Sequence, residues 1–282
     1  MSKKLGTKCV HSGGISDDKY FGNITPIYPS ITYDYLKSDV YPRYFNTPNQ
    51  LSVCKKIAEL ENAEDAVLFG SGLAAVASSM FSLLKTGDHV ILQKSLYGGT
   101  INLVNSEFKK FKISYDYVDV SNKNELGSYL KDNTKIIYIE SPSNPLLSIT
   151  DIRAISEFAK QNNLISIIDN TFASPVNQNP IELGIDLVIH SATKYLGGHS
   201  DILAGTVCGS NELISSPLIS SSIISLHKST HSLQIYTLGP AINFLTSSWD
   251  LPQNEQLSLL DSVSLLIINF SRLGYHLRYH MI

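Results

Sequence analysis

At 282 residues the chain is long enough for one large domain or two modest ones. Apolar residues make up 43% of it, enough for a sizeable core, and a net charge of −3 leaves no basic footprint for nucleic acid and no polybasic patch for a membrane surface. Cys9, Cys54 and Cys208 are few, far apart and without a CxxC pair, so neither a disulfide framework nor a zinc site is suggested.

The first eight residues lack the apolar core of a signal peptide, and no apolar run approaches the roughly 20 residues of a membrane span. A soluble, reduced, cytoplasmic protein is expected. Residues 1–45 read as an irregular N-terminal arm rich in Gly, Pro and Tyr, which must lie on another surface to be ordered. Tyr41-Pro42-Arg43-Tyr44 closes the arm. Arg43 reads either as a surface cation or as an anion ligand, because a guanidinium forks onto phosphate oxygens.

A helix is expected from near Asn49, a good N-cap, with Val53, Ile57 and Leu60 at helical spacing. The short apolar run 66–69 predicts a strand. It enters Gly70-Ser71-Gly72-Leu73 and then an Ala-rich helix through about Leu84. Strand, glycine turn and helix form an anion-binding geometry, because the helix N-terminus offers free N–H groups and about half a positive charge. Gly70-Ser71-Gly72-Leu73-Ala74-Ala75 also fits the dinucleotide pattern, but that pattern wants an acid about 20 residues on, at the end of the next strand. The next strand, 89–92, ends in Gln93-Lys94, and Asp88 stands at its wrong end.

Tyr97-Gly98-Gly99-Thr100 then opens a further helix, and Tyr97 reads as a ring that stacks on a flat ligand or as a half-buried tyrosine. Strands are expected at 113–118, 135–140 and 164–169, with helices at about 122–131 and 151–161 between them. A last apolar run, 186–189, leads into Ser191-Ala192-Thr193-Lys194. This alternation predicts an α/β fold, a mostly parallel sheet with helices on both faces, and a ligand site outside the carboxyl ends of the strands. Gly72, Tyr97, Asn144, Asp169, Ser191 and Lys194 stand just past those ends.

Asp169 follows Leu-Ile-Ser-Ile-Ile, so it is poorly solvated and needs a partner. It reads as a helix cap, as half of a salt bridge, or as the acceptor for a protonated pyridine nitrogen. Lys194 has hydroxyls nearby at Ser191 and Thr193. The hydroxyls suit a phosphate and the amine suits an aldehyde, and pyridoxal 5'-phosphate held as a Schiff base carries both.

Five ordered stretches resemble the pyridoxal-phosphate enzymes of cysteine and methionine metabolism, the trans-sulfuration family of cystathionine synthases and lyases, methionine γ-lyase and O-acylhomoserine sulfhydrylases. They are Ser71-Gly72-Leu73-Ala74-Ala75, Tyr97-Gly98-Gly99-Thr100, Glu140-Ser141-Pro142-Ser143-Asn144-Pro145, Asp169-Asn170-Thr171-Phe172 and the run from His190 to Asp201. The resemblance covers about residues 20–230 and implies the fold type I large domain with pyridoxal 5'-phosphate as cofactor.

The resemblance also implies roles. Lys194 would hold the cofactor and move protons, Asp169 would pair with the ring nitrogen, and Tyr97 would stack on the ring. Gly72, Leu73, Ser191 and Thr193 would bind its phosphate, and Asn144 would sit near its ring oxygen and the substrate carboxylate. Tyr41 and Arg43 match a Tyr-x-Arg pair that reaches a neighbouring subunit, which implies a homo-oligomer, a dimer of dimers, acting on a small amino-acid substrate.

The expected organisation is an arm at 1–45, a cofactor-binding large domain at 46–230 and an atypical segment at 231–282. The family's C-terminal domain is expected to be truncated or replaced there. Three further readings stay open: a cofactor-binding protein with little or no turnover, a fold-related aminotransferase, and a nicotinamide dehydrogenase.

Overall fold

The computed structural model describes residues 4–34, 36–120 and 126–215. The segment expected at 231–282 and the first half of the helix expected at 122–131 lie outside the described residues. Seven strands form one sheet: β1 Asp65–Phe69, β2 His89–Gln93, β3 Ser114–Val118, β4 Thr134–Glu140, β5 Ile165–Asp169, β6 Leu187–His190 and β7 Gly205–Gly209. Their order is β1-β7-β6-β5-β4-β2-β3. The pairs β2–β3, β2–β4, β4–β5 and β5–β6 are parallel, and β7 runs antiparallel to both β1 and β6.

Side chains alternate across this sheet, and helices cover both faces as expected. On one face Val90, Leu92, Ile136, Ile167, Leu187 and Val207 pack with Ala75, Val76 and Met80 of α3 (Gly72–Leu83). On the other, Ile91, Ile137, Ile168, Val188 and Cys208 pack with Ile57 and Ala58 of α2 (Pro48–Glu61) and with Ile155 and Ala159. The inner strands are apolar on both sides because both faces are buried. Each fully buried aliphatic side chain contributes about 1.5–3 kcal/mol.

Four local features depart from expectation. The arm is not wholly irregular, since α1 (Leu5–His11) lies on α2, where Lys8 Nζ donates to the Glu59 carbonyl at 2.9 Å. The cap of α2 is Thr47, not Asn49. Its hydroxyl accepts from Gln50 N while the Gln50 side chain accepts from Thr47 N, a reciprocal capping box. Asn49 instead accepts from Tyr28 N at 2.8 Å and donates to the Pro26 carbonyl at 2.8 Å, which pins the arm. The buried stripe of α2 is Cys54, Ile57, Ala58 and Glu61, and Val53 is exposed. The described part of the 122–131 segment closes in a 3₁₀ turn, Gly127–Tyr129.

Candidate active site

The carboxyl ends of β2, β4, β5 and β6 point the same way, and each delivers a polar residue. α4 (Gly98–Leu103) follows β2, α5 (Ile152–Gln161) follows β4 and α6 (Ser174–Asn177) follows β5, while α7 (Asn211–Ser215) follows β7. Asp169 ends β5 and is 8% exposed. Its Oδ1 accepts from Thr171 N at 3.0 Å and from the Thr171 hydroxyl, which in turn accepts from Ser191 N at 2.8 Å. Its Oδ2 accepts no hydrogen bond among the described residues, an unused acceptor at the strand end. Burial pushes the Asp169 carboxyl up, while the two Thr171 bonds and nearby His190 pull it back.

Lys194 lies in the turn that follows β6. Its N–H donates to the Ser191 carbonyl at 3.0 Å, and its carbonyl accepts from Gly198 N at 2.7 Å. Gly198 has φ +79°, a left-handed conformation that only glycine adopts freely. The Lys194 side chain is exposed, and its Nζ makes no bond among the described residues.

Ser71 caps α3, its hydroxyl accepting from Ala74 N at 3.0 Å. The first two amides of that helix, Gly72 and Leu73, take no acceptor among the described residues and stay available to an anion. Gly72 packs onto Ser191 so closely that a Cβ would fall 2.6 Å from that of Ser191. Helix N-terminus and Ser191 hydroxyl thus border one space. Thr193 behaves differently, because its hydroxyl donates to the Ala204 carbonyl at 3.1 Å and accepts from Ala204 N at 3.0 Å. Its one proton is therefore already engaged.

Tyr97, half exposed, folds its ring over Gly99, where a Cβ would lie 2.4 Å from a ring carbon. That explains the second glycine of Tyr97-Gly98-Gly99. Tyr97 N donates to Glu140 Oε2 at 2.7 Å, and Asn144 N donates to Glu140 Oε1 at 2.7 Å. Glu140 ends β4, is 5% exposed and is the residue directly opposite Asp169 across the β4–β5 ladder. Burial first, and then the Asp169 charge, push its carboxyl up to about 7 against the two amide bonds.

Sequence reasoning gave Glu140 and Thr171 no role of their own. Glu140 carries the same signal as Asp169, an acid at the end of an apolar strand, but its two donors belong to other segments. Behind the site, fully buried Glu61 and His190 bond through Oε1 and Nε2, and Asn170 Nδ2 donates to the same Glu61 oxygen at 2.9 Å. This ties α2 to the ends of β5 and β6.

Tyr41 stands apart from this cluster in the arm. Its ring meets Tyr44 edge-on at 5.1 Å, and its N–H donates to Asn46 Oδ1 at 2.8 Å. Arg43 follows in a 3₁₀ turn, Pro42–Tyr44, and its side chain lies outside the described residues. Tyr44, Phe45 and Asn46 line a cavity of about 680 Å³ against α2 and β1, bordered by Asn211 and Ile214.

An open carboxylate, an unengaged lysine and a helix N-terminus packed on a serine suit a ligand with a basic ring, an aldehyde and a phosphate. The model of the Cys/Met metabolism PLP-dependent enzymes matches residues 6–243. The chain belongs to this family.

Its members use pyridoxal 5'-phosphate, and the residues just described fit that cofactor. The cystathionine beta-lyase of Lactococcus lactis subsp. cremoris is 47% identical over 216 residues, covering 74% of this chain and 56% of the relative. The cystathionine gamma-synthase/O-acetylhomoserine (thiol)-lyase of Bacillus subtilis (strain 168) is 42% identical over 217 residues, 75% of this chain and 58% of the relative. Among solved structures, a cystathionine gamma-lyase from Lactobacillus plantarum complexed with L-serine superposes with a TM-score of 0.74 at 37% identity, covering 79% of this chain and 59% of that one. The large-domain fold of the fold type I pyridoxal-phosphate enzymes is thereby shown. The chain spans little more than half the length of the curated relatives it matches.

The dinucleotide alternative loses its remaining support, since Gln93 at the end of β2 is buried and accepts from Glu140 N at 3.1 Å. Among the described residues no cluster of three or more His, Cys, Asp or Glu side chains could hold a metal, and no helix is long and apolar enough to cross a membrane.

Proposed function

We propose that the protein is a trans-sulfuration enzyme acting on a sulfur amino acid or an O-acylhomoserine, by β- or γ-elimination or γ-replacement. The observation that carries this reading is the pairing of Asp169, with an unused oxygen at the end of β5, and Lys194, with an unengaged amine after β6. When bound, pyridoxal 5'-phosphate supplies an electron-withdrawing ring next to the substrate's α-carbon.

The chain's own residues would do the rest. Lys194 would hold the cofactor through its amine and would take up and return a proton at Nζ. Asp169 Oδ2 accepts from the ring nitrogen and keeps it protonated, a charge-assisted bond worth about 1.5–3 kcal/mol. The amides of Gly72 and Leu73 and the Ser191 hydroxyl hold the phosphate, and Thr193 joins them on releasing the Ala204 carbonyl. Tyr97 covers the ring, and Asn144 orients the ring oxygen and the substrate carboxylate. Tyr41 and Arg43 act on the site of a neighbouring subunit in a homo-oligomer, a dimer of dimers in the cytoplasm. These assignments rest on the family's motifs at the matching positions.

A second reading is cofactor binding with little turnover. One experiment separates the two. The purified protein is reconstituted with pyridoxal 5'-phosphate, its visible absorbance is recorded, and L-cystathionine and O-acetylhomoserine with a thiol are added in turn. A bound-cofactor band that shifts with substrate, with release of keto acid or of a new thioether, supports the enzyme. A band that none of these substrates changes selects the second reading, and the absence of any band overturns both.

A further inference from the structure

Glu140 is a buried acid that no reaction step above uses. Burying a carboxylate is costly unless hydrogen bonds replace the lost water. Here each oxygen receives one backbone N–H, Tyr97 N on Oε2 and Asn144 N on Oε1, both at 2.7 Å. The two donors come from different connections, one after β2 and one after β4, and the acid stands between them at the end of β4. Its own backbone is fixed as well, since Glu140 N donates to the buried Gln93 side chain, which also accepts from the Thr150 hydroxyl at 3.3 Å. A carboxylate is the only side chain of this length with two acceptor oxygens, so it alone holds both amides at once.

We infer that Glu140 is a positioning residue that clamps the Tyr97 and Asn144 backbones at a fixed separation and so sets how the two residues flank the cofactor ring. The inference rests on the proposed function for its consequence, but the clamp itself is a property of the protein without ligand. Tyr97 starts α4 and has its ring packed on Gly99, so a shift of its backbone swings the ring with it. Asn144 sits in the short loop between β4 and α5, and the Glu140 bond ties its backbone directly to the strand.

The test compares wild type with Glu140→Gln and Glu140→Asp. The amide form offers a single acceptor oxygen and so keeps one N–H bond. The shorter acid keeps both oxygens but draws them back. Hydrogen exchange on the protein without cofactor should show the Tyr97 or Asn144 amide exchanging tenfold faster or more in Glu140→Gln, with part of the protection restored in Glu140→Asp. On the reconstituted proteins, visible circular dichroism per bound cofactor should fall at least twofold in Glu140→Gln while covalent attachment at Lys194 persists. Equal loss of protection spread over the whole protein in both variants would assign Glu140 to folding alone and overturn the inference. So would unchanged exchange at both amides. A wild type that binds no cofactor would sink the proposed function, and the exchange comparison would still decide the clamp.

Discussion

Glu140 and Asp169 stand directly opposite each other at the ends of two parallel strands, so two buried carboxylates share one corner of the site. Burial first, and then the Asp169 charge, push the Glu140 carboxyl up to about 7. In the unfolded chain a glutamate ionises near pH 4.3. Between about pH 4.3 and about 7 the native state therefore binds more protons than the unfolded state, and stability falls as pH rises through that window and levels off above it. Urea unfolding at pH 5 and pH 8 should show wild type losing on the order of 3 kcal/mol more than Glu140→Gln across the interval. Parallel pH profiles would contradict the assignment.

Thr171 links Asp169 to the Lys194 turn, because one hydroxyl donates to Asp169 and accepts from Ser191 N. Thr171→Val keeps the shape and removes both bonds. It should cost about 1–3 kcal/mol in chemical denaturation and push the Asp169 carboxyl further up. A cost indistinguishable from zero would mean that water replaces the hydroxyl without loss.

The succession of strands and helices along the chain was legible because each inner strand carries a short, mostly apolar run, the signature of a sheet covered on both faces. β7 was not, since Gly205-Thr206-Val207-Cys208-Gly209 has too few apolar residues and a glycine at each end. Its place between β1 and β6 needs pairing with β1, over a hundred residues earlier in the chain, as well as with nearby β6. Asp169 and Lys194 stood out as chemistry at strand ends. The clamp at Glu140 did not, because a sequence shows the acid and its neighbour Asn144 but not the Tyr97 amide, 43 residues earlier, that converges on it. Thr47 and Asn49 are both good cap residues; Pro48 at the first helical position and the capping box with Gln50 favour Thr47, and the Asn49 side chain is taken up by the arm.

Gly205 faces the turn that feeds α3, and a Cβ there would lie 2.1 Å from the Ser71 carbonyl oxygen. Backbone must move to accept it, so Gly205→Ala should cost about 1–3 kcal/mol and weaken cofactor binding by displacing the Gly72 and Leu73 amides. Gly70→Ala is the control from the same turn, since a Cβ there meets nothing within 4 Å. It should change stability by no more than about 0.5 kcal/mol. Equal effects of the two substitutions would separate the turn from the site.

Lys194 contributes little to the fold. Its side chain is exposed and its Nζ bonds to none of the described residues, so Lys194→Ala should leave the unfolding midpoint within about 0.5 kcal/mol of wild type. Its effect on the cofactor should be total. After reconstitution and borohydride reduction, intact mass should show an added cofactor on wild type and none on Lys194→Ala, and a persistent adduct would move the attachment point to another lysine. Asp169→Ala should separate binding from chemistry in the opposite sense. On the proposed roles the phosphate contacts and the lysine would remain, so the adduct should form, but the ring nitrogen would lose the acid that keeps it protonated, and turnover should fall far more than cofactor affinity does. If Asp169→Ala turned over as fast as wild type, the open oxygen at the end of β5 would have no part in the reaction.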